Sequence, residues 1–268
     1  MWAILAGAFG GYFSLFNRFG AAERGVGTSL SAYVGGSNFR GGLAFTTFRY
    51  TPITTTLMPR FGGSGGTAVP GFMSQFDATF SYLFRTSAGI FSAGGHYVLT
   101  EDTLSAGALA LFGGYGLYRS DHSLEAGAAL SLYPNFRVFQ ILLSASERLV
   151  GDLWLSLNML HIRLVENTSN LTDLPTNMTS FGGGLAYYRY PYDAYVSGWI
   201  GQRMFAVWNY GFVVYNFADL YSGEVFMGAG YSIGRVRYGL DLTFGRFRDL
   251  VGGTDALHAV LTLSLLYR

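Results

Sequence analysis

The four histidines of this chain are the side chains best suited to general-base chemistry. A nucleophilic hydroxyl needs a histidine within hydrogen-bonding reach, and on a β-strand residues two positions apart share a face. His122 and Ser123 are adjacent, so their side chains would point to opposite faces. None of the other histidines has a serine or aspartate two positions away; they are His96, His161 and His258. The chain also has no Asp-x-His or Asp-x-Asp pair. The sequence therefore predicts no catalytic residues and no enzyme.

Charged side chains at alternate strand positions are the second feature that could support a function. They would face the interior if the strands close into a barrel, and the expected pore-lining residues are Asp77, Arg85, Arg148, Glu224, Arg235, Arg237, Asp241 and Arg268. The arginines of this set fall at one end of their strands, and the acids lie farther along. Cationic groups in a low-dielectric wall attract anions. The sequence therefore predicts a basic inner mouth with a weak preference for anions.

Three of these arginines are expected to lie side by side. Arg235 and Arg237 are two residues apart, and Arg268 ends the strand that should pair with theirs, so all three would point inward. The sequence offers few acids near them, and we expect their charges to remain unneutralised. The alternative is that charges collect wherever strands leave the hydrocarbon, in which case these arginines are interfacial anchors.

Alternating side chains predict the strands that must position these charges. The closing stretch, residues 256–268, alternates leucines and a tyrosine with His258, Thr262 and Ser264. Residues 75–85 alternate in the same way, with aromatic side chains on one face. Such period-2 patterns indicate strands, and an uncharged face that ends in an aromatic residue suits contact with lipid. A strand of a soluble sandwich is the alternative for the closing stretch alone.

The composition favours a membrane barrel over a soluble sandwich. Charged residues make up 12% of the 268 residues, aromatic residues make up 17%, and there are 38 glycines. A soluble domain usually has about twice this share of charge. No uninterrupted apolar run reaches the ~18 residues of a membrane helix. The absence of cysteine excludes disulfides and thiolate metal sites, and a net charge of +1 gives no basis for nucleic-acid binding.

Turn residues divide the chain into about fourteen strands of an all-β, closed antiparallel transmembrane barrel, which forms a single domain over residues 1–268. Connections after the even-numbered strands are expected to be short, and most of the others long, beginning with a polar loop at residues 18–25. Short turns on one side of the membrane and longer loops on the other are typical of such barrels. The connections at Glu101–Asp102 and Pro134–Asn135 are expected to be short exceptions. A hairpin within Phe205–Phe217 would raise the count to sixteen, and twelve is the other alternative.

The inward positions of the predicted strands carry mainly glycine, serine, threonine and alanine. Examples are Gly27, Ser29 and Ser31, or Gly228 and Gly230. Small inward side chains leave space, so the pattern predicts a lumen rather than a filled core.

With these features the chain resembles bacterial outer-membrane β-barrels as a class, along its whole length. The resemblance implies an integral location in the outer membrane, contact with its lipid, and no cofactor. A narrower stretch, from Gly201–Arg203 through Val213–Phe217, resembles the barrel part of YaiO-type proteins. That family is associated with exopolysaccharide export, which implies a periplasmic export machinery as a partner.

Two functions from different classes are compatible with the sequence. The first is a channel, either for passive diffusion of small solutes or for export of an anionic polymer such as exopolysaccharide. The second is a non-conducting barrel that anchors or scaffolds a surface or periplasmic partner. The small inward side chains favour the channel.

Overall fold

The computed structural model describes strands and the connections between them. The described residues are 8–20, 23–52, 72–101, 105–167, 174–208, 213–214, 219–250 and 254–267. No helix in these segments is long and apolar enough to cross a membrane. The strands of the main sheet have between 11 and 15 residues, and about 9–11 residues of a tilted strand are enough to cross a bilayer.

Fourteen strands close one antiparallel barrel. Each barrel strand pairs with the barrel strands before and after it in the chain, and the first, Ala8–Gly20, pairs with the last, Thr254–Tyr267, to close the sheet. The barrel strands are β1 (Ala8–Gly20), β2 (Glu23–Gly35), β3 (Phe39–Pro52), β4 (Phe72–Arg85), β5 (Ile90–Thr100), β6 (Ala108–Tyr118), β7 (His122–Leu132), β8 (Phe136–Val150), β9 (Leu153–Asn167), β10 (Asn177–Arg189), β11 (Tyr192–Arg203), β14 (Asp219–Ile233), β15 (Val236–Asp249) and β16 (Thr254–Tyr267). The predicted fold class and strand count are confirmed.

The remaining two strands form a small hairpin outside the barrel sheet. They are β12 (Val207–Trp208) and β13 (Val213–Val214), and they pair with each other. Residues 205–217 therefore do contain an extra hairpin, but it adds no strand to the barrel. The alternatives of sixteen and twelve barrel strands are wrong.

The connections at the two ends of the barrel differ in length. At the end that we call the short-turn end, they are residues 36–38, 86–89, 119–121, 151–152, 190–191 and 234–235. At the opposite end, the loop end, they include residues 53–71, 168–176 and 204–218. The alternation that the sequence predicts is present in the structure.

Two connections at the loop end differ from the prediction. Only residues 21–22 separate β1 from β2, because cross-strand pairing continues as far as Phe19 and Arg24. The connection after β5 is longer than expected and spans residues 101–107. The amide of Ala108 donates to the carbonyl of Ser105 in a turn, so β6 begins only at Ala108.

The two faces of the sheet separate apolar from small and polar side chains. Phe80 is 56% exposed on the outer face, whereas its neighbour Ser81 is 0% exposed on the inner face. Exposed phenylalanines, leucines and tyrosines continue around the outer surface on every barrel strand from β1 to β16. A continuous apolar surface of this kind needs an apolar environment such as lipid. The predicted orientation of the strands in residues 75–85 and 256–267 is therefore correct.

Candidate functional site

The connection between β11 and β14 turns into the barrel at the loop end. All four residues of Met204–Val207 are buried, and we call this stretch the luminal segment. The ring of Phe205 lies 4.6 Å from that of Phe136 and 4.9 Å from that of Tyr133, measured between centroids. The luminal segment thus lies against the inner wall beside the loop ends of β7 and β8.

The luminal segment is fixed by one side chain of the wall. Gln140, which faces inward on β8, donates to the carbonyl of Val207 at 2.6 Å and accepts from the amide of Val207 at 2.8 Å. Phe205 has a φ of 54°, a left-handed conformation that costs roughly 1–2 kcal/mol for a residue with a side chain. Local strain held by surrounding contacts often accompanies binding or switching.

Inward-facing apolar side chains from β5 to β11 surround the luminal segment. They include Val98 on β5, Val138 on β8, Ile162 on β9 and Trp199 on β11, all buried in one cluster with Phe205. Close packing of this kind leaves little room for water. Along this arc of the wall, the loop end of the lumen is closed.

A buried ion pair holds the residue that precedes the luminal segment. The guanidinium of Arg203 pairs with the carboxylate of Glu224 on β14, and the two residues are 2% and 3% exposed. The other oxygen of Glu224 lies 3.0 Å from Nε2 of His258 on β16, and Nδ1 of His258 lies 3.2 Å from the hydroxyl of Tyr221. Glu224 reaches His258 across Gly245, where a Cβ would lie 2.7 Å from Cγ of Glu224.

A second charged group lies beside it at the loop end. The guanidinium of Arg18 on β1 pairs with Asp219 at 2.6 Å and with Asp249 at 3.1 Å. It also lies 4.5 Å from the ring centroid of Phe247. Both aspartates are 2% exposed, and buried carboxylates are tolerated only with such partners. This group links β1 to β14 and β15 across the inner face of β16.

Near the short-turn end, two polar pairs cross the inner face of β14. Nε of Arg237 on β15 donates to Asp193 on β11 at 2.7 Å, and the hydroxyl of Tyr195 donates to Asp241 at 2.9 Å. A Cβ on Gly228 would lie 2.1 Å from Oδ1 of Asp241, and one on Gly230 would meet the Arg237 guanidinium. These pairs therefore require glycine at positions 228 and 230 of β14, where any side chain would collide with them.

The predicted inward acids lie on the inner face. Oδ1 of Asp77 is 2.8 Å from Nε2 of His96. Oδ2 of Asp77 accepts from the side-chain amide of Gln75 at 2.8 Å. Glu224 and Asp241 belong to the groups described above. A role of these residues in lining a conducting pore remains a prediction.

The predicted basic mouth differs from the structure in two respects. Arg237 is neutralised by Asp193, so the expectation of unneutralised charge is wrong there; the aspartate lies two strands away, where sequence proximity does not reveal it. Arg235 is an exposed turn residue between β14 and β15 rather than part of the inner face. Arg268 lies outside the described residues.

The other two predicted arginines lie at the short-turn end. Both are exposed: Nε of Arg85 donates to the carbonyl of Ser37 at 3.2 Å, and Arg148 pairs with Asp152 at 3.4 Å. They lie at the rim of the barrel and are bonded to turns, which fits the anchor interpretation at least as well as the basic mouth.

A cavity of about 420 Å³ extends from the luminal segment toward the short-turn end, along the inner face of β5–β8. Val207 bounds it at the loop end, and its wall combines glycines and alanines with larger apolar residues such as Phe112 and Leu142. The polar groups of the wall include Ser92, Glu125, Gln140 and Ser144. Gly127 faces this space, and the nearest atom to a Cβ there would be a carbonyl oxygen at 3.5 Å. Small inward residues thus leave room along this part of the wall, whereas the predicted examples Gly27, Gly228 and Gly230 lie against neighbouring side chains and leave no such space.

Comparisons with known proteins agree on the architecture. The structure of the toluene transporter TodX of Pseudomonas putida is similar with a TM-score of 0.52 and 12% identity, covering 97% of this chain and 88% of that one. A bacterial polysaccharide outer membrane secretin gives 0.52 and 10%, covering 96% and 98%. The Acinetobacter baumannii outer membrane protein Omp33 gives 0.50 and 9%, covering 97% and 98%. At these identities the likeness shows a shared fold alone.

No protein-family model matches the chain, and no curated protein is significantly similar to it in sequence. The class-level resemblance to outer-membrane barrels is supported by the structural similarities to TodX and Omp33. The narrower resemblance to YaiO-type barrels has no match that supports it.

Proposed function

We propose that this chain is an outer-membrane channel for small solutes, closed at its loop end by its own luminal segment. The proposal depends on one observation: the luminal segment lies between the loop end and a cavity of about 420 Å³ that is lined in part by glycine and alanine. Side chains can fill a barrel of about eight strands, whereas fourteen strands enclose a wider lumen, and part of that lumen stays open here. A segment that closes the space can also open it by leaving the lumen.

The attachment of the segment is suited to opening. Beyond its burial in the apolar cluster described above, its specific attachments to the wall are the two hydrogen bonds of Gln140 and the ring contacts of Phe205. The left-handed conformation of Phe205 would relax on release, which lowers the free-energy difference between closed and open states. Channel gating requires states that differ by only a few kcal/mol.

The cargo follows from the size and lining of the cavity. Its wall is mostly apolar with few hydroxyl and carboxylate groups, which suits small solutes with limited charge. Export of a polymer such as exopolysaccharide, with a periplasmic machinery, would need the luminal segment to leave the lumen entirely. The similar structures include both a toluene transporter and a polysaccharide secretin, so they do not decide between these cargoes.

The alternative function is a non-conducting scaffold. It is favoured by the charged groups of Arg18 and Arg203, which join four strands across the loop end and would stabilise a permanently closed barrel. In this case the luminal segment would be a structural part of the wall.

Single-channel recording in planar bilayers separates the two functions. We expect low conductance with infrequent openings for the unmodified barrel, and more frequent openings for Gln140→Ala, which loses both bonds to Val207. Gln75→Ala is the matched control, since it removes a luminal glutamine whose side chain donates to Asp77. Folded barrels that never conduct, with or without Gln140, would contradict the channel and support the scaffold. Equal opening of all three proteins would mean that the luminal segment does not control conduction.

A further inference from the structure

The outward-facing charges of the barrel are distributed unequally between its two ends. At the loop end, the strand residues whose side chains are described carry five outward arginines against one outward aspartate, Asp255. The arginines are Arg49, Arg137, Arg163, Arg246 and Arg248. At the short-turn end, the outward strand charges among the described residues are Glu147 and Arg189, which balance. Among the described side chains, the outward strand positions are therefore basic at the loop end and balanced at the short-turn end.

Each of these arginines is assigned to the outer face by the alternation of its own strand. Arg49 shares its phase with Phe45 on β3, and Arg248 shares its phase with Phe244 on β15; both phenylalanines are exposed. Arg163 shares its phase with Leu157 on β9, which is exposed as well. Arg49 and Arg248 lie beyond the exposed apolar residues of their strands, whereas Arg163 is followed by one exposed apolar residue, Val165, nearer the loop end.

Three of the arginines have no counter-ion among the residues that the structure describes. Arg246 pairs with Asp255 at 3.1 Å, but Arg49, Arg163 and Arg248 form no ion pair with any residue that the structure describes. We call these three the rim arginines. Long arginine side chains at the edge of an apolar belt lie along it with their stems and place the guanidinium at the level of the lipid headgroups.

We propose that the rim arginines bind the phosphate groups of lipid headgroups in the leaflet beside the loop end. A guanidinium presents a planar fork that bonds two phosphate oxygens at once, which an ammonium group cannot do. Every one of the seventeen basic residues in this chain is an arginine, so the rim has only the side chain with this geometry. The inference rests on the membrane location of the barrel and is independent of whether the lumen conducts.

Native mass spectrometry of the folded barrel in neutral detergent tests the proposal. Phosphatidic acid, a lipid with a phosphate monoester, is the probe, and phosphatidylcholine is the comparison lipid. We expect retention of phosphatidic acid in preference to phosphatidylcholine, and roughly tenfold weaker retention by the triple variant Arg49→Gln, Arg163→Gln, Arg248→Gln, because hydrogen bonds to charged groups are the stronger ones. The matched control is Arg85→Gln, Arg235→Gln, which removes exposed arginines from the short-turn end.

Each outcome decides the question. Unchanged retention by the triple variant, or an equal loss in the control variant, would overturn the proposal. Displacement of the lipid by inorganic phosphate at low concentration would show a site for the free anion and would also overturn it. Substituting lysine at the three positions keeps the charge, so intermediate retention supports recognition by the guanidinium geometry. The electrophoretic mobility of unheated samples shows that each variant has folded, and outward polar substitutions at a rim are expected to be tolerated.

Discussion

Replacing Glu224 with glutamine removes the carboxylate that pairs with Arg203 at the base of the luminal segment. Both side chains are almost fully buried in the closed barrel. Removing one partner of a buried ion pair leaves an uncompensated charge and costs about 3–5 kcal/mol. Glutamine keeps the shape and one acceptor, so the lower end of this range is expected. When the segment leaves the lumen, Arg203 becomes hydrated and this cost disappears.

The difference between the two states fixes the expected size of the effect. A penalty of about 3 kcal/mol on the closed state alone corresponds to a roughly hundredfold shift toward the open state, since each ~1.4 kcal/mol is a factor of ten. Single-channel recording should show this as a rise in the ratio of open to closed time. Asp193→Asn is the matched control, because it breaks the pair with Arg237 that lies near the short-turn end, away from the segment.

The reasoning would be refuted by an unchanged opening ratio in Glu224→Gln, or by an equal rise in Asp193→Asn. Thermal unfolding in detergent distinguishes opening from general loss of structure. A variant that unfolds at a much lower temperature without conducting would show that the ion pair stabilises the barrel rather than the closed position of the segment.

Three further predictions concern the wall of the barrel. Phe80→Arg, on the exposed outer face, should destabilise the barrel by about 2–4 kcal/mol if it lies near the bilayer midplane; Gly127→Arg, which points into the cavity, should be milder in a folding titration in lipid, and equal costs would contradict the assigned faces. Asp193→Asn should remove the carboxylate that pairs with Arg237, make the local potential more positive and shift the reversal potential toward anions, most strongly in dilute salt; an unchanged reversal potential would show that this group does not face the ion path. Gly228→Ala places a methyl group against the Asp241 carboxylate and should lower the unfolding temperature, whereas Gly127→Ala should leave it nearly unchanged.

The alternation of side chains made the barrel predictable from sequence. Residues 75–85 and 256–267 follow a period of two with the lipid-facing side chains on one phase, and that phase alone assigns inside and outside. Connection lengths added the strand order, since short turns force consecutive strands to be antiparallel neighbours. Residues 18–25 look like a polar loop in sequence, but pairing between β1 and β2 continues to Phe19 and Arg24.

The candidate site was less predictable because it depends on contacts between distant parts of the chain. Met204–Val207 is a short apolar run that reads like part of a strand, and nothing local shows that it turns inward. Asp193 and Arg237 are 44 positions apart in sequence and meet across a third strand. In sequence the inward Gly230 suggests empty space, whereas in the structure the guanidinium of Arg237 lies over it.

Arg18 has a consequence for how the barrel assembles. The pairing between β1 and β16 joins the two ends of the chain, so it carries the largest loop-closure entropy of any pairing in the sheet and should form late. Arg18 belongs to β1, yet its guanidinium bonds Asp219 and Asp249 on β14 and β15, beyond the closing strand. Its side chain thus crosses the β1–β16 pairing on the inner face and links β1 to β14 and β15. A barrel without these two ion pairs would still form the complete sheet, but β1 and β16 would separate more easily than other neighbouring strands.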